Sequence, residues 1–196
     1  MSSNILIKDN FFAGIDILRA IALSFDYMYH LKTPEPVGWR GYRTWELSHL
    51  DNPIIEECCD NILKEFTDFY DISGYSMQKF FHISYEQTKL NLMRSWHTDH
   101  SVEYAGLMYL NPNPPSTAGT TIFKDGKKIE VENKYNRLVG YNGNLQHGPT
   151  DDFGDTKESG RMCLVFFLNK KEILDPIIEN IEWFRTKSNQ WEYFKF

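Results

Sequence analysis

The chain has 196 residues, 41% hydrophobic and 15% aromatic, which fits one domain with a sizeable core and excludes disorder as its main state. Lys and Arg total 21 against 27 Asp and Glu, and the resulting charge of -6 disfavours non-specific binding to nucleic acid. No apolar run approaches the ~20 residues of a membrane span, and MSSNILIKDN has no secretory leader pattern. The three cysteines, Cys58, Cys59 and Cys163, form no disulfide framework and no CxxC knuckle, so a reducing, cytoplasmic setting is expected.

In chain order, a short apolar stretch from Ile5 to Ile7 precedes a helix expected around Ile15, Leu18, Ile21 and Ala22. Lys32 to Trp45, rich in Pro, Gly and Trp, reads as an ordered loop. A second helix starts at Asn52, which can cap it, and Pro53, which suits its first turn. Its stripe is Ile55, Cys59, Ile62, Leu63, Phe66 and Phe69, and it should end near Asp71 to Gly74, with Cys58 and Cys59 between surface and core edge.

From Lys79 the period changes. Phe81, Ile83 and Tyr85 alternate, and β-type runs follow at Leu90–Trp96, Tyr104–Leu110, Thr120–Phe123, Lys128–Val131, Leu138–Tyr141 and Met162–Leu168. Asp175 and Pro176 then open a last helix with Ile177, Ile178, Ile181 and Phe184 on one face. The expected architecture is one mainly β domain over 1–196. It has a helical part at 1–78, a β-sandwich or barrel core at 79–168 and a helix at 175–194.

The chemistry concentrates in Trp96-His97-Thr98-Asp99-His100. In an extended chain His97 and Asp99 point the same way. His147, with 47 residues between it and Asp99, is the candidate third ligand. Two His and one carboxylate on one face of an ion make the facial triad of non-haem Fe(II) oxygenases. A polar pair at a strand end is the alternative for His97 and Asp99, and His100 is a rival ligand if the chain turns there. Arg161, fourteen residues after His147, opens the apolar run Met162–Leu168. A cation there needs an anionic partner. That partner is either a dicarboxylate ligand, gripped in bidentate fashion, or a protein acid such as Asp152, Asp155 or Glu158.

The order of these features resembles the HxD…H Fe(II)/2-oxoglutarate-dependent dioxygenases, in particular the prolyl-4-hydroxylase-like branch. Tyr104-Ala-Gly-Leu-Met-Tyr109-Leu110-Asn111, Ala118-Gly119-Thr120-Thr121-Ile122-Phe123 and Leu138-Val139-Gly140-Tyr141 ahead of His147 are similar to successive family segments. The N-terminal Lys8–Phe12, Leu18–Leu23 and Gly41–Thr44 resemble a bacterial and phage branch. The resemblance implies a double-stranded β-helix (jelly-roll, cupin-like) core flanked by N- and C-terminal helices. It implies Fe(II) on His97, Asp99 and His147. Arg161 and Tyr109 would hold the far carboxylate of 2-oxoglutarate, with Cys163 where some members have Ser.

The implied reaction consumes O2 and 2-oxoglutarate, releases succinate and CO2, and hydroxylates a peptide, amino acid or other small metabolite. Trp96, Met108, Phe123 and Val165 are candidate lining, and the loop Trp39 to Trp45, with Arg43 as anchor, is a candidate substrate rim. Three features depart from the pattern: Thr120 replaces the second Gly of the usual pair, the basic residue is Arg161 rather than Lys and lies further from His147 than in many members, and the loop Gly148 to Gly160 is correspondingly long, reading as a lid or, better, a solvated turn. Competing readings are a nucleic-acid oxygenase using Lys124, Lys127, Lys128, Lys134 and Arg137, a non-enzymatic binding module, and a zinc hydrolase on the same ligands.

Overall fold

The computed structural model describes residues 5–32, 40–70, 72–86, 96–99 and 101–170. Most of the expected strand Leu90–Trp96, the helix at 175–194, His100 and Trp39 lie outside the described residues.

Two helices form where the apolar spacing places them. The first, α1 (Ile15–Ser24), buries Ile15, Leu18 and Ala22. The second, α2 (Pro53–Tyr70), begins at Asn52, whose Oδ1 accepts hydrogen bonds from the backbone N–H of Ile54 (3.1 Å) and Ile55 (3.2 Å). That satisfies two of the helix's orphan donors. Its buried face is Ile55, Cys58, Cys59, Ile62 and Phe66, while Phe69 stays 40% exposed. Both cysteines are therefore fully inside, not at the surface and core edge. The helix packs against both α1 and the sheet, so its buried stripe widens to take in both small thiols. Burial raises both thiols, that of Cys59 to about 12.

Among the described residues, ten strands make two antiparallel sheets. They are β1 (Leu6–Lys8), β2 (Met28–Tyr29), β3 (Tyr42–Arg43), β4 (Tyr75–Ser84), β5 (Tyr104–Tyr109), β6 (Thr120–Lys124), β7 (Lys127–Val131), β8 (Leu138–Asn142), β9 (His147–Pro149) and β10 (Arg161–Lys170). The larger sheet runs β1-β8-β5-β10-β4-β3-β2 and the smaller β7-β6-β9. The chain is thus mainly β with two described helices. Three short strands come from segments that carry no readable alternation. β1 pairs Leu6 with Gly140, and β2 and β3 pair with each other before β3 joins β4. Two or three residues are too few to show a period of two. β4 also starts at Tyr75, four residues before the change of period.

The two-residue period sorts every long strand into two faces. Met162, Leu164, Phe166 and Leu168 of β10 join Phe81, Ile83, Met108 and Leu138 against the helices. The Phe66 ring of α2 packs edge-on to Phe166 (5.4 Å, 86°) and lies over Gly140, where a β-carbon would overlap it. The opposite face carries Ala105, Leu107, Tyr109, Val139, Tyr141 and Cys163, together with Ile122 and Val131 of the smaller sheet. His82 and Ser84 of β4 and Arg161 of β10 share that parity. At the N-terminus, Phe12 and Asn136 exchange two 2.9 Å hydrogen bonds, and the Asp9 carboxylate holds Arg137 (2.6 Å) and Lys134 (2.7 Å). No described helix is long and apolar enough to cross a membrane.

Candidate active site

A cavity opens between the two sheets, with side chains of β3, β4, β5, β8 and β10 on one side and of β6 and β9 on the other. His97, Asp99 and His147 all line it. Reciprocal backbone hydrogen bonds hold the HxD segment against β9: His97 N–H to His147 C=O at 2.9 Å, and His147 N–H to His97 C=O at 2.8 Å. Asp99 N–H donates to Gly143 C=O at 2.8 Å. Gly143 is needed there, because a β-carbon would overlap the Val102 carbonyl.

The three side chains converge. Asp99 Oδ1 lies 3.4 Å from His97 Nε2, Oδ2 lies 3.3 Å from His147 Nε2, and one ligand atom from each residue falls within 4.8 Å of the others. The side chain of His97 is 43% exposed and that of His147 only 6%, so the group spans the cavity mouth and its wall. Asp99 Oδ2 is buried and, among the described residues, accepts no hydrogen bond. Buried polar atoms are normally satisfied, and an orphan here marks a place for a cation. Burial works to raise the Asp99 carboxyl, but the His147 and His97 imidazoles outweigh it and hold the group well below the usual carboxylate range. His147 Nδ1 lies 2.8 Å from the Leu145 carbonyl, which it can only approach as donor. In the neutral imidazole that keeps the proton on Nδ1 and leaves Nε2 as the nitrogen free to bind a cation. The donor set and the orphaned oxygen fit a divalent metal such as Fe(II).

Arg161 lies deeper. It is 4% exposed, and its Nε donates to Ala118 C=O (3.1 Å) while Nη2 donates to Gly119 C=O (3.0 Å) and Thr120 Oγ1 (3.3 Å). Burial alone would lower its pKa, but Cys163, Tyr109 and Asp152 outweigh it, and the guanidinium stays charged. Among the described residues it pairs with no carboxylate. Asp152 accepts from Ser84, Asp155 accepts from Ser159 (3.2 Å), and Glu158 offers Arg19 its backbone carbonyl (2.8 Å). The protein-acid alternative for Arg161 is therefore not what forms. Nor is the loop Gly148 to Gly160 simply solvated: Asp155 and Glu158 are exposed, but Asp152 is 4% exposed and lines the cavity.

Thr120, the departure from the Gly pair, takes part in this cluster. Its hydroxyl lies 2.7 Å from the Tyr109 hydroxyl and also receives Arg161. Tyr109 is fully buried, 5.5 Å from ring centre to guanidinium, and burial pushes its phenol up to about 12. Cys163 is fully buried in register with Tyr109 and His82, its thiol raised by burial.

Of the expected lining, Val165 reaches the cavity. Met108 does not. Its even position turns it to the helix side, and Leu107 takes its place. Trp96 and Phe123 pack on each other instead (4.7 Å), with Lys128 over Trp96. Arg43 lies in the cavity wall, over the rings of Phe80 (5.2 Å) and Phe167 (5.8 Å), whereas Trp45 is 45% exposed. The basic cluster does not form one open surface: Lys134 and Arg137 hold Asp9, and Lys128 pairs with Glu130. Sequence reasoning gave no role to Tyr141 or His82, and named Asp152 only as a possible partner of Arg161. Their strand parity with Arg161 was the signal available for the first two. His82 is kept neutral, first by burial and then by Arg43 and Arg161.

No family model and no curated protein sequence matches the chain. Solved structures do. A Pseudomonas putida prolyl-4-hydroxylase aligns with TM-score 0.62 at 14% identity, covering 87% of this chain and 94% of its own. HygX from Streptomyces hygroscopicus, with nickel and 2-oxoglutarate bound, gives 0.60 at 11%, covering 87% and 84%. A 2OG-Fe(II) oxygenase family oxidoreductase from Burkholderia pseudomallei gives 0.58 at 12%, covering 86% and 85%. The chain has the fold of the prolyl-4-hydroxylase-like 2-oxoglutarate and Fe(II) oxygenases.

Proposed function

We propose that the chain is an Fe(II)- and 2-oxoglutarate-dependent oxygenase with a double-stranded β-helix core, which hydroxylates a peptide, amino acid or other small metabolite and releases succinate and CO2. The observation that carries the proposal is one cavity holding both a His-Asp-His cluster with an orphaned carboxylate oxygen and a buried arginine that, among the described residues, pairs with no carboxylate. His97, Asp99 and His147 would hold the iron. Arg161 would take the far carboxylate of 2-oxoglutarate, which cancels its buried charge. Tyr109 and Thr120 brace that guanidinium, and Cys163 packs on β10 two residues on. Bound iron would supply the O2 activation that couples decarboxylation of the 2-oxoacid to oxidation of a substrate C–H bond.

The chain's own part is to aim three ligands, fix the His147 tautomer and wall the cavity with Leu107, Val165 and Phe167 so that water is limited. Arg43, in the cavity wall beside Phe80 and Phe167, would meet the substrate. A structural neighbour, a Trichoplax adhaerens prolyl hydroxylase, is described in complex with a peptide fragment, which supports a peptide among the substrate classes. A zinc hydrolase would leave the charge of Arg161 without a use. Calorimetry with Mn(II) as a redox-silent stand-in tests the proposal. The expected result is one metal site, lost in Asp99→Ala, and 2-oxoglutarate binding that requires the metal and falls about 100-fold or more in Arg161→Ala. Metal binding with no 2-oxoglutarate binding would overturn it.

A further inference from the structure

The resemblance assigns the carboxylate-binding phenol to Tyr109, but the hydroxyl of Tyr109 is taken: it is enclosed and bonded to Thr120. A second phenol stands in the cavity itself. Tyr141 of β8 is 4% exposed, its ring centre is 4.4 Å from that of His147, and it shares the cavity wall with Asp99, Thr120 and Arg161. Its partner across the ladder is the small Ala105. Among the described residues its hydroxyl makes no hydrogen bond, and it is not among the fully enclosed unpaired atoms. The hydroxyl therefore opens into the cavity. Asp99 and Arg161, which line the same cavity, both act on it electrostatically.

Resting on the proposed function, we infer that Tyr141, not Tyr109, supplies the phenol that hydrogen-bonds the 2-oxoacid spanning the metal cluster and Arg161. A nearly buried hydroxyl without a partner is costly until a ligand meets it. A carboxylate is the acceptor that a phenol beside a guanidinium suits best. Tyr109 then acts one step back, through Thr120 and Arg161, as a positioning residue.

The test compares Tyr141→Phe with Tyr109→Phe by calorimetry and thermal unfolding, with Mn(II) and 2-oxoglutarate. Tyr141→Phe removes a hydroxyl that the protein does not use, so the ligand-free variant should melt at or above the wild-type temperature. Its 2-oxoglutarate Kd should rise about 10- to 100-fold, the loss of one charge-assisted hydrogen bond. Tyr109→Phe should instead melt lower without ligand and weaken binding less. A Tyr141→Phe Kd within twofold of wild type would overturn the inference and leave the oxygenase reading standing. Wild-type protein that takes metal but no 2-oxoglutarate would overturn both.

Discussion

Thr120→Val isolates the hydroxyl that replaces the second glycine. Thr120 is 1% exposed, and valine matches its shape, so no cavity opens. Its hydroxyl bonds the Tyr109 hydroxyl at 2.7 Å and Arg161 Nη2 at 3.3 Å. The short bond is worth about 1 kcal/mol net, and the stranded, fully buried Tyr109 hydroxyl costs about 1–3 kcal/mol more. The arginine loses little, because it keeps the Ala118 and Gly119 carbonyls. The expected loss is about 2–4 kcal/mol, or about 4–16 °C in Tm for a chain of this size.

Urea unfolding of the metal-free protein measures this loss. Tyr109→Phe should cost less, since Thr120 keeps Arg161. The double variant should cost less than the sum of the two, because nothing is left stranded, with a coupling of about 1–2 kcal/mol. A Thr120→Val variant within about 0.5 kcal/mol of wild type, or strict additivity, would refute the bridging role.

Three further outcomes follow from the packing. Gly140→Ala should destabilise by about 1–3 kcal/mol, because its β-carbon overlaps the Phe66 ring; adding Phe66→Leu should cost less than its effect alone, and a neutral Gly140→Ala in urea would count against the packing. Asn52→Ala should cost about 1 kcal/mol through the lost cap of α2, read by the same unfolding curves. Asp9→Asn should cost about 1 kcal/mol at neutral pH, a modest figure because the carboxylate is partly exposed. Arg137 first, then Lys134, hold the Asp9 carboxyl below its ordinary value. The stabilisation is thus present above the unfolded carboxylate pKa of about 4 and fades as pH falls below it, so wild type and variant should converge in acid. A gap that persists or widens there would contradict the pairing.

Much of this arrangement was legible in the sequence. The cap at Asn52, the stripe of α2 and the strands that became β5 to β8 and β10 follow from local chemistry, which survives folding. The convergence of His97, Asp99 and His147 was legible because residues two apart in an extended chain share a side, and the turn after β8 brings the third back to them. The strands β1, β2 and β3 were not, since each exists only through a partner far along the chain. Tyr141 and Tyr109 share a strand parity and a residue type. What separates them is whether Thr120 reaches the hydroxyl, a contact between strands that no spacing reveals. The neutral His82 and the buried Asp152 are likewise products of the cavity.

The most direct measurement is an anaerobic titration of the purified chain with Fe(II) and then 2-oxoglutarate, followed by visible absorption. A weak charge-transfer band that needs both additions, and is lost in Asp99→Ala and His147→Ala, is the result expected for a 2-oxoacid chelating iron on this triad. Saturating iron and 2-oxoglutarate with no band, or an undiminished band in Asp99→Ala, would contradict it.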